Sequence, residues 1–140
     1  MILLTTPLIA LNGKAEEAIA FYEQALEAKV AFKQTFGEMP EPQNPMTDEV
    51  KKRIAHSILK LGETELYVCD IFPGEPHQPG SQVTVCLTSS TADHTRKLYE
   101  ALKEGGRVDM PLQSIYFSPA YAVVTDKFGV TFHLFTTRPA

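Results

Sequence analysis

Cysteine is scarce in this chain, and no excess of basic residues or long apolar run is found in it. Each lack excludes something. Two cysteines, Cys69 and Cys86, fall on expected strands and not at metal-ligand or framework spacing, so they read as small buried apolar residues and fit a reducing, cytoplasmic setting. A formal charge of −4 leaves no Lys/Arg stripe to neutralise phosphates, which argues against a nucleic-acid partner. No stretch approaches the ~18 apolar residues of a spanning helix, so no membrane partner is expected. The apolar opening Met1-Ile2-Leu3-Leu4 lacks a positive flank and reads as the start of a first strand. G-x-G-x-x-G, the P-loop, H-E-x-x-H and G-x-S-x-G are all missing, which removes the commonest nucleotide, zinc-protease and serine-hydrolase readings.

What is present is a repetition. An apolar strand leads into a helix ending Phe21-Tyr22-Glu23-Gln24-Ala25-Leu26, and a second one leads into a helix ending Leu98-Tyr99-Glu100-Ala101-Leu102. Each half closes with a strand pair around a glycine turn, at Gly62 and at Gly129. A strand, a helix and three strands cannot cover both faces of their small sheet. Joining two such units buries a shared core and leaves a concave sheet surface where a site belongs.

The spacing predicts α+β modules of the form βαβββ in tandem: module one over 1–70, a linker over 71–81 rich in proline and glycine, and module two over 82–140. A strand over 3–11 precedes a helix capped by Asn12 or Gly13. Its Ala15, Ala18, Ile19, Tyr22, Ala25 and Leu26 recur at three- and four-residue steps and face a sheet. A strand over 29–36 is followed by a segment with Gly37, Pro40, Pro42 and Pro45, expected to be irregular and to serve either as a cover over the concave surface or as a mobile surface loop, then a short helical turn after Thr47 and a hairpin over 53–61 and 64–70. In module two the expectation is a strand over 82–88, a helix from Ser90 to Lys103 with Ser90 and Asp93 at capping-box spacing, and strands over 107–113, 117–125 and 130–136.

Three segments carry a family likeness: Ala15-Glu16-Glu17-Ala18-Ile19-Ala20-Phe21-Tyr22, Gly105-Gly106-Arg107-Val108-Asp109-Met110-Pro111-Leu112-Gln113, and Val123-Val124-Thr125-Asp126-Lys127-Phe128-Gly129-Val130-Thr131. They resemble the PhnB-like branch of the vicinal oxygen chelate superfamily, which includes glyoxalase I, fosfomycin-resistance and bleomycin-binding proteins and extradiol dioxygenases. The resemblance implies paired βαβββ modules curled into a cup, usually in a homodimer. It also implies that metal-dependent members hold a divalent ion with His, Glu or Gln from the first and last strand of each module. Counting back from the first helix places Pro7 at the first-strand position of module one, and aligning the glycine turns places Leu66 at its last-strand position. In module two the corresponding residues are Gln82 or Val83, and His133. One good ligand and one poor one fall short of the three that such a centre needs, so no metal cofactor is expected.

On an alternating strand Val130, Phe132 and Leu134 point one way, towards the helices, and Thr131, His133 and Phe135 the other. His133 then faces the concave surface, to hydrogen-bond a ligand or act as a base, or else to bond a neighbouring strand. His56 sits where the family often has histidine, with a structural bond as its simpler role, and His77 and His94 read as solvent-exposed. Where family members often carry Phe-Trp-Gly, an acidic residue and Arg, this chain has Ile115-Tyr116-Phe117-Ser118-Pro119-Ala120-Tyr121. An anionic-ligand role built on that Arg is therefore not expected. An aromatic cluster of Tyr116, Phe117 and Tyr121 takes its place, suited to stacking on a flat or apolar ligand or to packing at a strand end.

The functional expectation is a cytoplasmic homodimer that binds a small organic ligand, with Gln82, His133, His56, Tyr116, Phe117 and Tyr121 as candidate lining residues. Sequestration, as in bleomycin-binding relatives, is the working mode. The alternatives are a metal-dependent lyase, isomerase or dioxygenase with His133 as one ligand, and a structural dimer whose cup is filled by its own side chains.

Overall fold

The computed structural model describes residues 1–40 and 46–138, and clusters them into two compact units, Met1–Gln78 and Pro79–Ala140. The first unit runs β1 (Leu8–Leu11), α1 (Ala15–Ala25), β2 (Lys29–Thr35), a 3-10 turn (Phe36–Glu38), α2 (Asp48–Lys52), β3 (Ile54–Leu61) and β4 (Thr64–Asp70). The second runs β5 (Val85–Ser89), α3 (Ala92–Leu102), β6 (Arg107–Ile115), β7 (Ser118–Thr125) and β8 (Thr131–Thr136). The sheets have matching orders, β1-β4-β3-β2 and β5-β8-β7-β6, with the first strand parallel to the last and the other pairs antiparallel. The chain is thus α+β, with two βαβββ modules.

Helices α1 and α3 each pack on their own sheet. Ala15, Ala18, Ile19, Tyr22, Ala25 and Leu26 are all buried, as their spacing predicts, together with Leu59, Leu66 and Val68 of the strands below. A side chain such as Ile19 contributes about 2 kcal/mol by leaving water. In the second unit Leu98 and Leu102 meet Ala122, Val124, Phe132 and Leu134, again all buried. Leu66, Val68 and Asp70 alternate with half-exposed Glu65, Tyr67 and Cys69, and Phe132, Leu134 and Thr136 alternate with half-exposed Thr131, His133 and Phe135. Every sheet therefore has one face under its helix and one face free of it.

Several sequence expectations need correction. The first strand begins at Leu8, and Met1, Ile2, Leu3 and Leu4 lie outside it, highly exposed. The N-cap of α1 is Lys14, which makes no side-chain capping bond. The Asp70 carboxylate on β4 does that work instead, accepting the N–H groups of Gly13 at 2.7 Å and Ala15 at 3.1 Å. Thr91, not Ser90, caps α3, its hydroxyl accepting from the His94 N–H at 3.2 Å. The irregular segment after residue 36 starts with the 3-10 turn, closed by the Thr35/Glu38 capping box; Pro42 and Pro45 lie outside the described residues. Strand β5 starts three residues later than expected, so Gln82 and Val83 precede it, both exposed. Cys86 is exposed and Cys69 half-buried, not the buried pair that composition suggested.

The ladders also fix which residues of the two modules correspond. Ile71 donates its N–H to Leu11 and Thr137 donates its own to Ser89, each just past the last strand. Leu11 pairs with Asp70 and Ser89 with Thr136, while Leu8 pairs with Tyr67 and Cys86 with His133. The partner of His133 in module one is therefore Tyr67, not Leu66, which is buried under α1. By the same register His56 corresponds to Tyr121, because Ile58 pairs with Tyr67 and Val123 with His133.

Candidate functional site

The helix-free face of the second sheet gathers most of the residues singled out above. Its position is set by the tight turn between β6 and β7, which carries Tyr116 and Phe117. Two anchors hold this turn. Arg138 donates to the carbonyls of Tyr116 at 2.7 Å and Ile115 at 3.3 Å. The buried Ser118 hydroxyl has its one proton shared between the Ala120 carbonyl at 2.9 Å and the Thr136 carbonyl at 2.8 Å, and accepts the Thr136 N–H at 3.0 Å. A hydroxyl buried with its bonds satisfied gives the turn one geometry, so the two rings are presented in a fixed place.

From this turn an aromatic strip runs across the sheet. The Phe117 and Phe135 rings stack with centroids 6.1 Å apart and planes 13° from parallel. Tyr116 meets Phe117 edge-on at 5.0 Å, and Phe117 meets Tyr121 edge-on at 5.1 Å. The strip ends at a polar pair, where the Tyr121 hydroxyl and His133 Nδ1 are hydrogen-bonded. Tyr116 is almost fully exposed and Phe117 is 42 % exposed, so the strip is open at one end. Burial and then the nearby Cys86 push the Tyr121 phenol up from its ordinary value.

Beside this pair lies a network that sequence reasoning did not find. Asp109 accepts from the Thr125 hydroxyl at 2.6 Å and from Arg107 Nε at 2.8 Å, and Thr125 also meets Thr131 at 2.8 Å. The Thr125 and Arg107 bonds hold the Asp109 carboxyl below its usual range, with a smaller contribution from His133. Arg107-x-Asp109 is a strand i, i+2 pair, so period-two alternation was the available signal.

His56 lies on the helix-free face of the other sheet, between Phe32 at 6.0 Å and Tyr67 at 5.1 Å, both ring to ring. It is half-exposed, and its neighbours are aromatic rings. Gln82 stands ahead of β5, and the strand residue opposite His133 is Cys86. His77 and His94 are exposed. An open cleft of about 420 Å³ at the end of α3, lined by Glu100, Lys103, Glu104, Gly106, Arg107 and Val108, includes none of the predicted site residues.

Two βαβββ units with one free sheet face apiece are the architecture of the vicinal oxygen chelate proteins. The chain belongs to the Glyoxalase/Bleomycin resistance protein/Dioxygenase superfamily, whose description matches residues 7–134. It is similar to Protein YjdN of Escherichia coli K12, with 26% identity over 133 residues covering 89% of each chain. The crystal structure of PA1353 from Pseudomonas aeruginosa is similar at 29% identity and TM-score 0.88, covering 99% of this chain and 100% of that one. A PhnB protein from Bacillus cereus shares the fold, with 22% identity, TM-score 0.74 and coverage of 96% and 100%.

The superfamily implies a divalent ion held from the first and last strands, and the residues at those places can be tested for it. The positions facing away from the helices are Leu8 and Tyr67 in one module, Cys86 and His133 in the other. Pro7, Leu66, Gln82 and Val83 do not hold them. Two of the four have metal-ligating side chains, and among the described residues no group of three His, Cys, Asp or Glu gathers where an ion could sit. The donor set of this chain by itself does not fit a three-ligand centre. Among the described residues no helix is long and apolar enough to cross a membrane.

Proposed function

We propose that this chain is a small-molecule-binding member of the superfamily that takes a small organic ligand on the helix-free face of the β5-β8-β7-β6 sheet. The observation that carries the reading is the aromatic strip ending in the Tyr121–His133 pair. Exposed rings supply apolar area for a flat ligand, and a single polar pair at the end of the strip sets its orientation. Phe117, Tyr116 and Phe135 form the stacking surface, and Tyr121 and His133 the polar end. Gln82 has no part in this strip, and His56 belongs to the other sheet. The protein acts as a cytoplasmic homodimer that sequesters its ligand, without a bound cofactor.

The test is fluorescence titration with N-phenyl-1-naphthylamine, a neutral flat probe. Saturable binding that Phe117→Ala weakens about tenfold, with unchanged circular dichroism, supports the reading. Absence of saturable binding, or binding indifferent to Phe117→Ala, overturns it.

A second reading is a metal-dependent lyase, isomerase or dioxygenase. It draws on the register that sets the Cys86 thiol opposite His133, with further ligands supplied by the second copy. Metal analysis of protein purified without chelator or His-tag distinguishes it: about one tightly held ion per chain favours the enzyme, and none favours the binding protein.

A further inference from the structure

We infer that Tyr121 fixes His133 as a hydrogen-bond donor, and that the ligand of this face is a flat conjugated molecule with a neutral carbonyl oxygen. The inference rests on the reading of the strip as a ligand site and names the chemistry it selects.

The Tyr121 hydroxyl is hydrogen-bonded to His133 Nδ1. A phenol is a stronger acid than a neutral imidazole N–H, and an imidazole nitrogen is a better acceptor than a phenol oxygen. The hydroxyl therefore donates and Nδ1 accepts. A neutral imidazole has one proton, so it then resides on Nε2, and the nitrogen not engaged by Tyr121 is a donor.

Charge selects between a carbonyl and a carboxylate as acceptor. The segment Tyr116-Phe117-Ser118-Pro119-Ala120-Tyr121 includes no cationic side chain, so no guanidinium comes from it. The Asp109 carboxylate stands on the same face, bonded to Thr125, which meets Thr131 two residues from His133 on β8, and its field reaches the imidazole, offset in part by the Arg107 cation bonded to it. An anionic oxygen at His133 would meet that field unfavourably; a carbonyl oxygen would not. The stacked Phe117 and Phe135 rings supply the flat apolar part of the site, next to Tyr121 and through it to His133.

The experiment measures displacement of N-phenyl-1-naphthylamine by three bicyclic probes: chromone, a flat ketone; naphthalene, without the oxygen; and 1-naphthoate, with a carboxylate. Chromone is expected to bind about five- to tenfold more tightly than the other two, the worth of one hydrogen bond. Tyr121→Phe, which keeps the ring, and His133→Ala should erase that preference while leaving naphthalene within about twofold. His133→Gln, whose amide retains a donor, should restore much of it. Equal affinity for chromone and naphthalene, unchanged by Tyr121→Phe but weakened by Phe117→Ala, overturns the donor assignment and leaves the ligand site standing. A preference for 1-naphthoate overturns the neutral-carbonyl choice. Indifference of all three probes to Phe117→Ala overturns the site and the inference together.

Discussion

Asp70 and Thr136 occupy the same place in the two modules, and they solve one problem with different chemistry. Each must tie the last strand to the helix above it. Asp70 is an acceptor, and its buried carboxylate receives the N–H groups of Gly13, Ala15 and Ile54 at 2.7–3.1 Å. It binds the strand–helix loop, the start of α1 and the start of β3 into one knot. Thr136 both gives and takes. Its hydroxyl meets the Thr95 hydroxyl in the first turn of α3 and donates to the Ala120 carbonyl at 2.7 Å, while the cap of α3 is left to Thr91. The duplicated frame tolerates either device because every buried donor is answered in both: among the described residues no buried side-chain N or O is left without a partner.

The largest way to break this comparison is Asp70→Ala. Three backbone donors would lose a charged acceptor, and we expect a loss of about 3–5 kcal/mol in urea denaturation. Thr136→Val should cost much less, about 1 kcal/mol, and a loss equal to that of Asp70→Ala would show that the two hubs carry the same weight.

A second contrast lies at the turn from helix to strand. Gly106 is pressed against backbone, since a Cβ there would stand 2.2 Å from the Thr125 carbonyl oxygen, whereas the matching place in module one holds buried Ala28. Gly106→Ala should cost about 2 kcal/mol or more, read as a fall in Tm. Next in size is the coupling of Thr95 and Thr136. Changing both to Val should cost less than the two single changes added together, by about 1 kcal/mol in a double-mutant cycle. The smallest effect belongs to Glu27, whose φ of 56° matches the left-handed Gly105 at 76°. Glu27→Gly should stabilise by about 0.5 kcal/mol, and no gain would mean that the Glu27 side chain offsets its own backbone cost.

The helix-free faces extend the contrast. Histidine and tyrosine occur on both, in exchanged positions: His56 and Tyr67 in one sheet match Tyr121 and His133 in the other. The first pair meets ring to ring, with centroids 5.1 Å apart, and the second through a hydrogen bond. The polar end of a site thus stands beside Phe117 in one module, while in the other His56 lies between the Phe32 and Tyr67 rings.

The fold was legible because its signals are periodic. Ala15 to Leu26 recur at helical steps, and Phe132 and Leu134 alternate with His133, so packing follows from spacing alone. Register was less legible. Counting from the helix to Pro7 and to Gln82 assumes equal loops, but three residues join β1 to α1 and two join β5 to α3. The hairpin turns differ as well, Leu61 pairing with Thr64 and Thr125 with Thr131, which moved the expected partner of His133 from Tyr67 to Leu66. Loops accept insertions that ladders do not, so a count carried through a loop drifts by one and lands on the opposite face. Cys86 was misread for a related reason: a strand placed by composition does not reveal which of its residues points outward. The Asp109 network was hidden because its partners, Arg107 and Thr125, come together only when β6 and β7 pair.

The parallel pairing of first strand with last also has a consequence during synthesis. Leu8 leaves the ribosome roughly sixty residues before Tyr67, its partner in the ladder, an interval on the order of several seconds. Val85 waits roughly fifty residues for Phe132. Until β4 emerges, the nascent β1, preceded by Met1-Ile2-Leu3-Leu4, has no native partner for its ladder bonds. Over that interval the open edge of β1 can pair with a strand of another chain.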